Sequence, residues 1–185
     1  MPISTFLSFY TPPASWLQSG SVAGSLGTTF IGATDVNPLL FKIGGTSAGI
    51  LGATANTAFG VGANNADSLS NAGTYNTAIG LYSLSRNRGS LNTAIGSYSM
   101  FYNTTGSQNV ALGSNSLYNN ITGQKNSAFG AGALENNTSG DDNTAVGQDA
   151  LLANTTGIRN IGIGWNGFAN NFTGGQNVGI GYGAG

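Results

Sequence analysis

One phrase governs most of this chain. Asn-Thr-Ala-Phe-Gly opens at Asn56, and related pentapeptides open at Asn76, Asn92, Asn109, Asn126, Asn143, Asn160 and Asn177. After two irregular steps the interval settles at seventeen and holds for five consecutive units. A period this regular restricts the fold to a repeat architecture in which each unit stacks on the next. The unit reads Asn, a mostly β-branched residue, Ala or Gly, a large apolar residue and Gly. Two variable residues, a small one, Leu or a similar residue and two more follow, then Asn-x-Thr-Gly and two variable residues. We number positions from the opening Asn.

A unit of seventeen is too short for a helix pair. Every unit carries Gly at position five (Gly60, Gly80, Gly96, Gly113, Gly130, Gly147, Gly164, Gly181). Inside a helix each would cost about 1 kcal/mol. Positions two and four alternate with small residues at period two, the signature of a short strand over positions one to five. Asn-Thr-Thr-Gly at Asn103–Gly106 and Asn154–Gly157 is turn chemistry, with Asn opening the bend and Gly taking positive φ. The fold class is therefore all-β: a parallel β-solenoid, or β-roll, with two short strands and two turns expected per coil. Eight coils at strand separation make a rod about 40 Å long. Equivalent residues should stack: Asn at positions one and twelve, apolar side chains at four and at nine (Leu84, Met100, Leu117, Leu134, Leu151, Phe168). Lys125, Asp142 and Arg159 stack at position seventeen with alternating sign.

The bulk at positions two and four suggests that these side chains meet position nine inside the coil. Positions three and five would then form an outer face of Ala and Gly, which permits close approach of another backbone. This reading assigns Ala78, Gly80, Ala94, Gly96, Ala111, Gly113, Ala128, Gly130, Ala145 and Gly147 to contacts with sister chains, most simply around a threefold axis. The alternative is a thin monomeric solenoid with the small residues inside.

Composition narrows the function. Only 6% of residues are charged, with 5 basic against 6 acidic, where roughly 25% charged is usual. No basic stripe is available for phosphates, so nucleic acid is not an expected partner. No apolar run is long enough for a membrane helix. The chain has no His and no Cys. That removes imidazole acid–base chemistry, thiol nucleophiles, disulfides and the usual zinc ligands. Solenoid lyases and glycosidases need paired carboxylates or a base in a groove. Eleven scattered charges do not supply them, so no enzyme activity and no cofactor is expected.

The residues divide as an extended arm over 1–15, a small β module over 16–50 and the solenoid over 51–185, its last coil short. Ile3 to Tyr10 is a run of strand formers cut off by Thr11-Pro-Pro13. Phe30-Ile31 and Leu39 to Ile43 read as strands joined by a turn at Asp35-Val-Asn-Pro38. The start lacks the basic n-region and long apolar core of a secretory signal. An uncapped last coil exposes strand edges, and another subunit's N-terminal segment would complete it by strand addition, giving a head-to-tail filament.

Asn-Thr-Ala-Ile-Gly at Asn76–Gly80 and Asn92–Gly96 resembles the motif of trimeric autotransporter adhesin heads. The stretch Asn143–Gly157 resembles the repeats of tail-fibre-domain-containing proteins of bacteria and phages, and Trp16 to Lys42 the module that precedes them. The resemblance implies a left-handed β-roll wound as a trimer. The period of seventeen departs from the commoner adhesin-head period, and no C-terminal chaperone-like domain or membrane anchor is recognisable.

Two further patterns are candidate sites. Asn-x-Ser/Thr sequons at Asn103, Asn120, Asn137, Asn154 and Asn171 would carry a line of glycans, or serve only the turn, whose bend uses Asx hydrogen bonds. Tyr82 and Tyr98 share position seven, with Phe101, Tyr102 and Tyr118 close behind position nine. These rings would stack on host sugars or pack at a chain interface. Glu135, Asp141, Asp142 and Asp149 match no calcium-loop spacing. The expected function is a structural subunit of an extracellular or virion-surface fibre, with self-association as its mechanism. The alternative is an adhesin module that recognises surface glycans.

Overall fold

In the solenoid the expected short strand forms in every coil, and only three residues of it are regular. The computed structural model describes residues 39–43, 46–51, 55–64 and 73–185. The arm over 1–15, the Phe30-Ile31 strand and the turn at Asp35 lie outside the described residues. Strands β1 (Leu39–Ile43) and β2 (Thr46–Leu51) precede the eight repeat strands. These are β3 (Thr57–Phe59), β4 (Thr77–Ile79), β5 (Thr93–Ile95), β6 (Val110–Leu112), β7 (Ser127–Phe129), β8 (Thr144–Val146), β9 (Ile161–Ile163) and β10 (Val178–Ile180).

All ten strands form one sheet in chain order. From β3 to β10 the pairing is parallel and each position meets its equivalent, as in Ala58 with Ala78, Ala94 with Ala111, and Gly162 with Gly179. The antiparallel hairpin β1–β2 joins the β3 edge, Leu51 opposite Thr57, so it covers the first edge of the solenoid sheet. The strand over Leu39–Ile43 follows the sequence pattern. β2 is not visible in that pattern, because its Gly and Ser dilute the run of strand formers.

Among the described residues, the second strand expected in each coil is absent. Positions five to twelve instead make consecutive tight turns. In the Asn92 coil the Ser99 N–H donates to the Gly96 carbonyl (3.4 Å) and the Asn103 N–H to the Met100 carbonyl (3.2 Å). Left-handed backbone at Tyr98 (φ 57°), Met100 (φ 49°) and Gln108 (φ 61°) closes the coil within one repeat. Coil-to-coil hydrogen bonds nevertheless continue around the perimeter: Gly113 N–H to Ile95 (2.8 Å), Met100 N–H to Ser116 (3.0 Å) and Gln108 N–H to Ser90 (3.0 Å). Strand-like pairing thus extends well beyond the three strand residues.

The core corrects the expected direction of the strands. Ala58, Ala78, Ala94, Ala111, Ala128 and Ala145 are fully buried inside the coil, packed with Leu84, Met100, Leu117, Leu134 and Leu151 of position nine. Positions two and four point outward, with Phe59, Ile79, Ile95, Phe129 and Val146 exposed. The alanines therefore cannot be contacts with sister chains, and the alternative with the small residues inside is the observed one. The glycines assigned with them are set against the neighbouring coil: a Cβ at Gly80, Gly96, Gly113, Gly130 or Gly147 would strike the carbonyl of the equivalent Gly in the next coil.

The physical reason is parity. The opening asparagines Asn92, Asn109, Asn126, Asn143 and Asn160 are fully buried. Period-two alternation then forces position three inward as well. A coil of this perimeter has room for a methyl group on the strand side and one large side chain opposite.

Candidate functional surfaces

Two surfaces of the rod stand out, and both follow from the inward asparagines. The first is the outer face of the sheet, formed by positions two, four and six. Position four contributes Phe59, Ile79, Ile95, Leu112, Phe129, Val146, Ile163 and Ile180; seven of these are 36–66% exposed and Leu112 is half-buried. None of the eleven charged residues falls at positions two, four or six of any coil. Exposed sheet on a solvated protein normally carries polar or charged side chains. Here a charge-free apolar stripe continues along eight rungs.

The second surface lies about half a perimeter away and depends on position twelve. Asn103, Asn120, Asn137 and Asn154 are fully buried. Each amide Nδ2 donates to the Oδ1 of the Asn in the preceding coil, as from Asn120 to Asn103 (2.7 Å) and Asn137 to Asn120 (2.9 Å). Its other hydrogen goes to the Gly carbonyl three residues on, as from Asn120 to Gly123 (2.9 Å). Asn171 repeats both bonds, to Asn154 and Gly174 (both 3.1 Å). All five sequon asparagines are engaged in the turn, and a sugar on Nδ2 would displace two of these hydrogen bonds, buried at the first four and partly buried at Asn171. The position-one amides form a second ladder, Asn126 to Asn109 (3.2 Å) and to the Gly140 carbonyl (2.8 Å) among them.

Because position twelve points inward, positions eleven and thirteen diverge outward and leave a longitudinal groove of about 680 Å³ between them. Position eleven supplies Arg86, Tyr102, Asn119, Asn136 and Ala153; position thirteen supplies Thr104, Ile121, Thr138, Thr155 and Phe172. Sequence reasoning found Tyr102 and missed the rest. Their types vary from coil to coil, and only the inward direction of the Asn between them reveals a shared groove.

The structure does bring the five candidate aromatics together. Tyr82 and Tyr98 are 5.6 Å apart between ring centroids, Phe101 and Tyr118 stack at 5.6 Å with planes 10° apart, and Tyr102 meets Phe101 edge-on at 4.7 Å. The Arg86 guanidinium lies 4.8 Å from the Tyr102 centroid and 5.3 Å from that of Phe101. Burial among the rings, then the adjacent Tyr102, pushes the Tyr118 phenol above its ordinary range. Most of the cluster is used on itself; Tyr102 alone of the five also lines the groove.

Glu135 sits near Asp149 of the next coil, and burial followed by the Asp149 charge raises its carboxyl above the ordinary range. Among the described residues no group of acidic side chains is arranged to hold a metal ion, and no helix is long and apolar enough to cross a membrane. Comparison with protein-family models, with curated proteins and with solved structures matches none of them to this chain.

Proposed function

We propose that the chain is the structural subunit of a fibre, extracellular or on a virion, in which parallel copies associate through the outer face of the sheet, as a trimer in the simplest arrangement. The observation that carries this reading is the charge-free apolar stripe of position four. Its side chains recur at about 4.8 Å along the rod, and a surface with the same recurrence fits them at every rung. A second copy in register has that recurrence. Burying a Phe, Ile or Val side chain contributes on the order of 1.5–3 kcal/mol when complete, and the stripe offers one such side chain per coil. Stacked Asn ladders and perimeter hydrogen bonds within each chain supply stiffness. The product is a rod whose mechanism is mechanical.

Sedimentation equilibrium tests this. The unaltered chain should run as an oligomer of fixed stoichiometry. Ile95→Lys combined with Phe129→Lys places two charges on the stripe and should give a monomer with unchanged circular dichroism. An unaltered chain that stays monomeric at all concentrations refutes the reading.

A further inference from the structure

We infer that the groove between positions eleven and thirteen is a binding site for a linear oligosaccharide. It lies half a perimeter from the sheet face, nine positions on from position three and eight back, and remains open when that face is covered. The inference therefore goes beyond the fibre reading and does not depend on assembly.

The walls select the ligand class. Tyr102 stands towards one end and Phe172 at the other, in coils four steps apart. At strand separation that is about 19 Å along the rod. Between these two aromatic surfaces the amides of Asn119 and Asn136 and the hydroxyls of Thr104, Thr138 and Thr155 alternate with the apolar Ile121 and Ala153. The Thr104, Thr138 and Thr155 hydroxyls donate to the carbonyls of Ile121 (2.8 Å), Thr155 (3.0 Å) and Phe172 (2.9 Å). Their protons are thereby fixed on the protein, and their oxygens remain as acceptors. The Asn119 amide donates to Asn136 Oδ1 (3.1 Å), which leaves the Asn136 amide hydrogens without a partner among the described residues. Fixed acceptors and an amide donor, interspersed with apolar side chains between two aromatic residues, match a chain of pyranose rings, which present hydroxyls at their edges and C–H faces to apolar and aromatic groups.

Other occupants fit less well. An extended peptide adds to a sheet through free backbone groups. Here the N–H groups of Tyr102, Asn119, Thr138 and Thr155 are already bonded to the next coil. A nucleic acid needs several cations along its phosphates. The groove has Arg86 alone, held over the Tyr102 ring. That arginine favours a sugar that is neutral, or acidic only at the Tyr102 end.

The test is titration calorimetry, supported by saturation-transfer NMR, with three probes: neutral linear glucan oligosaccharides, linear oligomers of N-acetylglucosamine, and sialylated oligosaccharides. At least one should bind at millimolar concentration or better. Tyr102→Ala and Asn136→Ala should each weaken that binding at least about tenfold, the loss of one ring contact or of one hydrogen-bonding amide. Both variants should keep the oligomeric state and circular dichroism of the unaltered chain, and Asn136→Ala should also keep its thermal midpoint. The Ile95→Lys, Phe129→Lys double variant should bind the same sugar as tightly, so loss of assembly and loss of binding are read separately. No binding by any of the three probes, or binding unchanged in both groove variants, overturns the inference.

Discussion

Gly179 lies directly against Phe168: a Cβ at residue 179 would come within 2.8 Å of the Phe168 Cβ and 3.1 Å of its ring. From the Asn76 coil to the Asn143 coil, Ala at position three is paired with Leu or Met at position nine. In the Asn160 coil position nine becomes Phe168, and position three becomes Gly in both Gly162 and Gly179. A Cβ at Gly162 would lie 2.6 Å from the Gly167 carbonyl oxygen and 2.9 Å from Leu151 Cγ. The interior thus exchanges a methyl on one wall for a ring on the other, at the constant volume that close packing requires. Gly179→Ala should cost about 1–3 kcal/mol as an overpacked core, and adding Phe168→Leu should recover most of that loss. Trp165 is in the same coil, with its ring 5.0 Å from Tyr182, so its fluorescence during urea unfolding, read in a Trp16→Phe background, reports this end of the rod.

The Asn ladder gives a larger effect from a polar side chain. Asn120 donates to Asn103 Oδ1 and to the Gly123 carbonyl, and accepts from Asn137. Asn120→Ala leaves all three of these buried groups short of a partner, and should cost at least about 2 kcal/mol. Asn119→Ala, one residue earlier, removes a single half-buried bond to Asn136. Its cost should stay within about 1 kcal/mol. Equal losses from the two variants, measured by chemical denaturation, would mean that the ladder does not hold the coils together.

These two positions also show what is legible in the sequence. Strict Asn and strict Gly at fixed positions announce the coil, the turn and the stacking, because only those residues satisfy a buried bend. The side of the strand is where the pattern misleads. Bulk at position four suggests a core, whereas the parity shared by the opening Asn and the Ala at position three places both of those inside. Asn92 and Ala94 are each fully buried. The successive turns are hidden for another reason. Leu117 (φ 50°), Lys125 (φ 55°) and Asp142 (φ 58°) adopt left-handed backbone without the Gly that would signal it. The groove is hard to read from residue types, since Arg86, Tyr102, Asn119 and Ala153 share nothing except their place just before the turn.

Those left-handed residues are a reservoir of removable strain. Gln108 is exposed, at φ 61°, on the outer bend of position seventeen. A side chain in this region costs roughly 1–2 kcal/mol, and Gly there loses about 0.4–1 kcal/mol through its freer unfolded chain. Gln108→Gly should therefore stabilise the chain by about 0.5–1 kcal/mol, the difference of those two terms, seen as a higher denaturation midpoint with no change in circular dichroism. Met100 is also left-handed, at φ 49°, and is fully buried. Met100→Gly should do the opposite, because it empties the core position.

Glu135 makes stability depend on pH in an unusual direction for a carboxylate. Burial and the nearby Asp149 hold its carboxyl above the ordinary range, so the folded chain keeps this proton to a higher pH than the unfolded chain does. Where the folded state binds more protons, stability falls as pH rises. The contribution is fully present below the unfolded value and is lost as pH climbs through the folded one. Glu135→Gln removes the ionisation at nearly the same volume. It should raise the thermal midpoint at neutral pH, leave it almost unchanged at the acid end, and flatten the decline between mildly acidic and neutral solution. Midpoints of both chains measured across that interval check this. A decline equally steep in the variant would place its origin in another group.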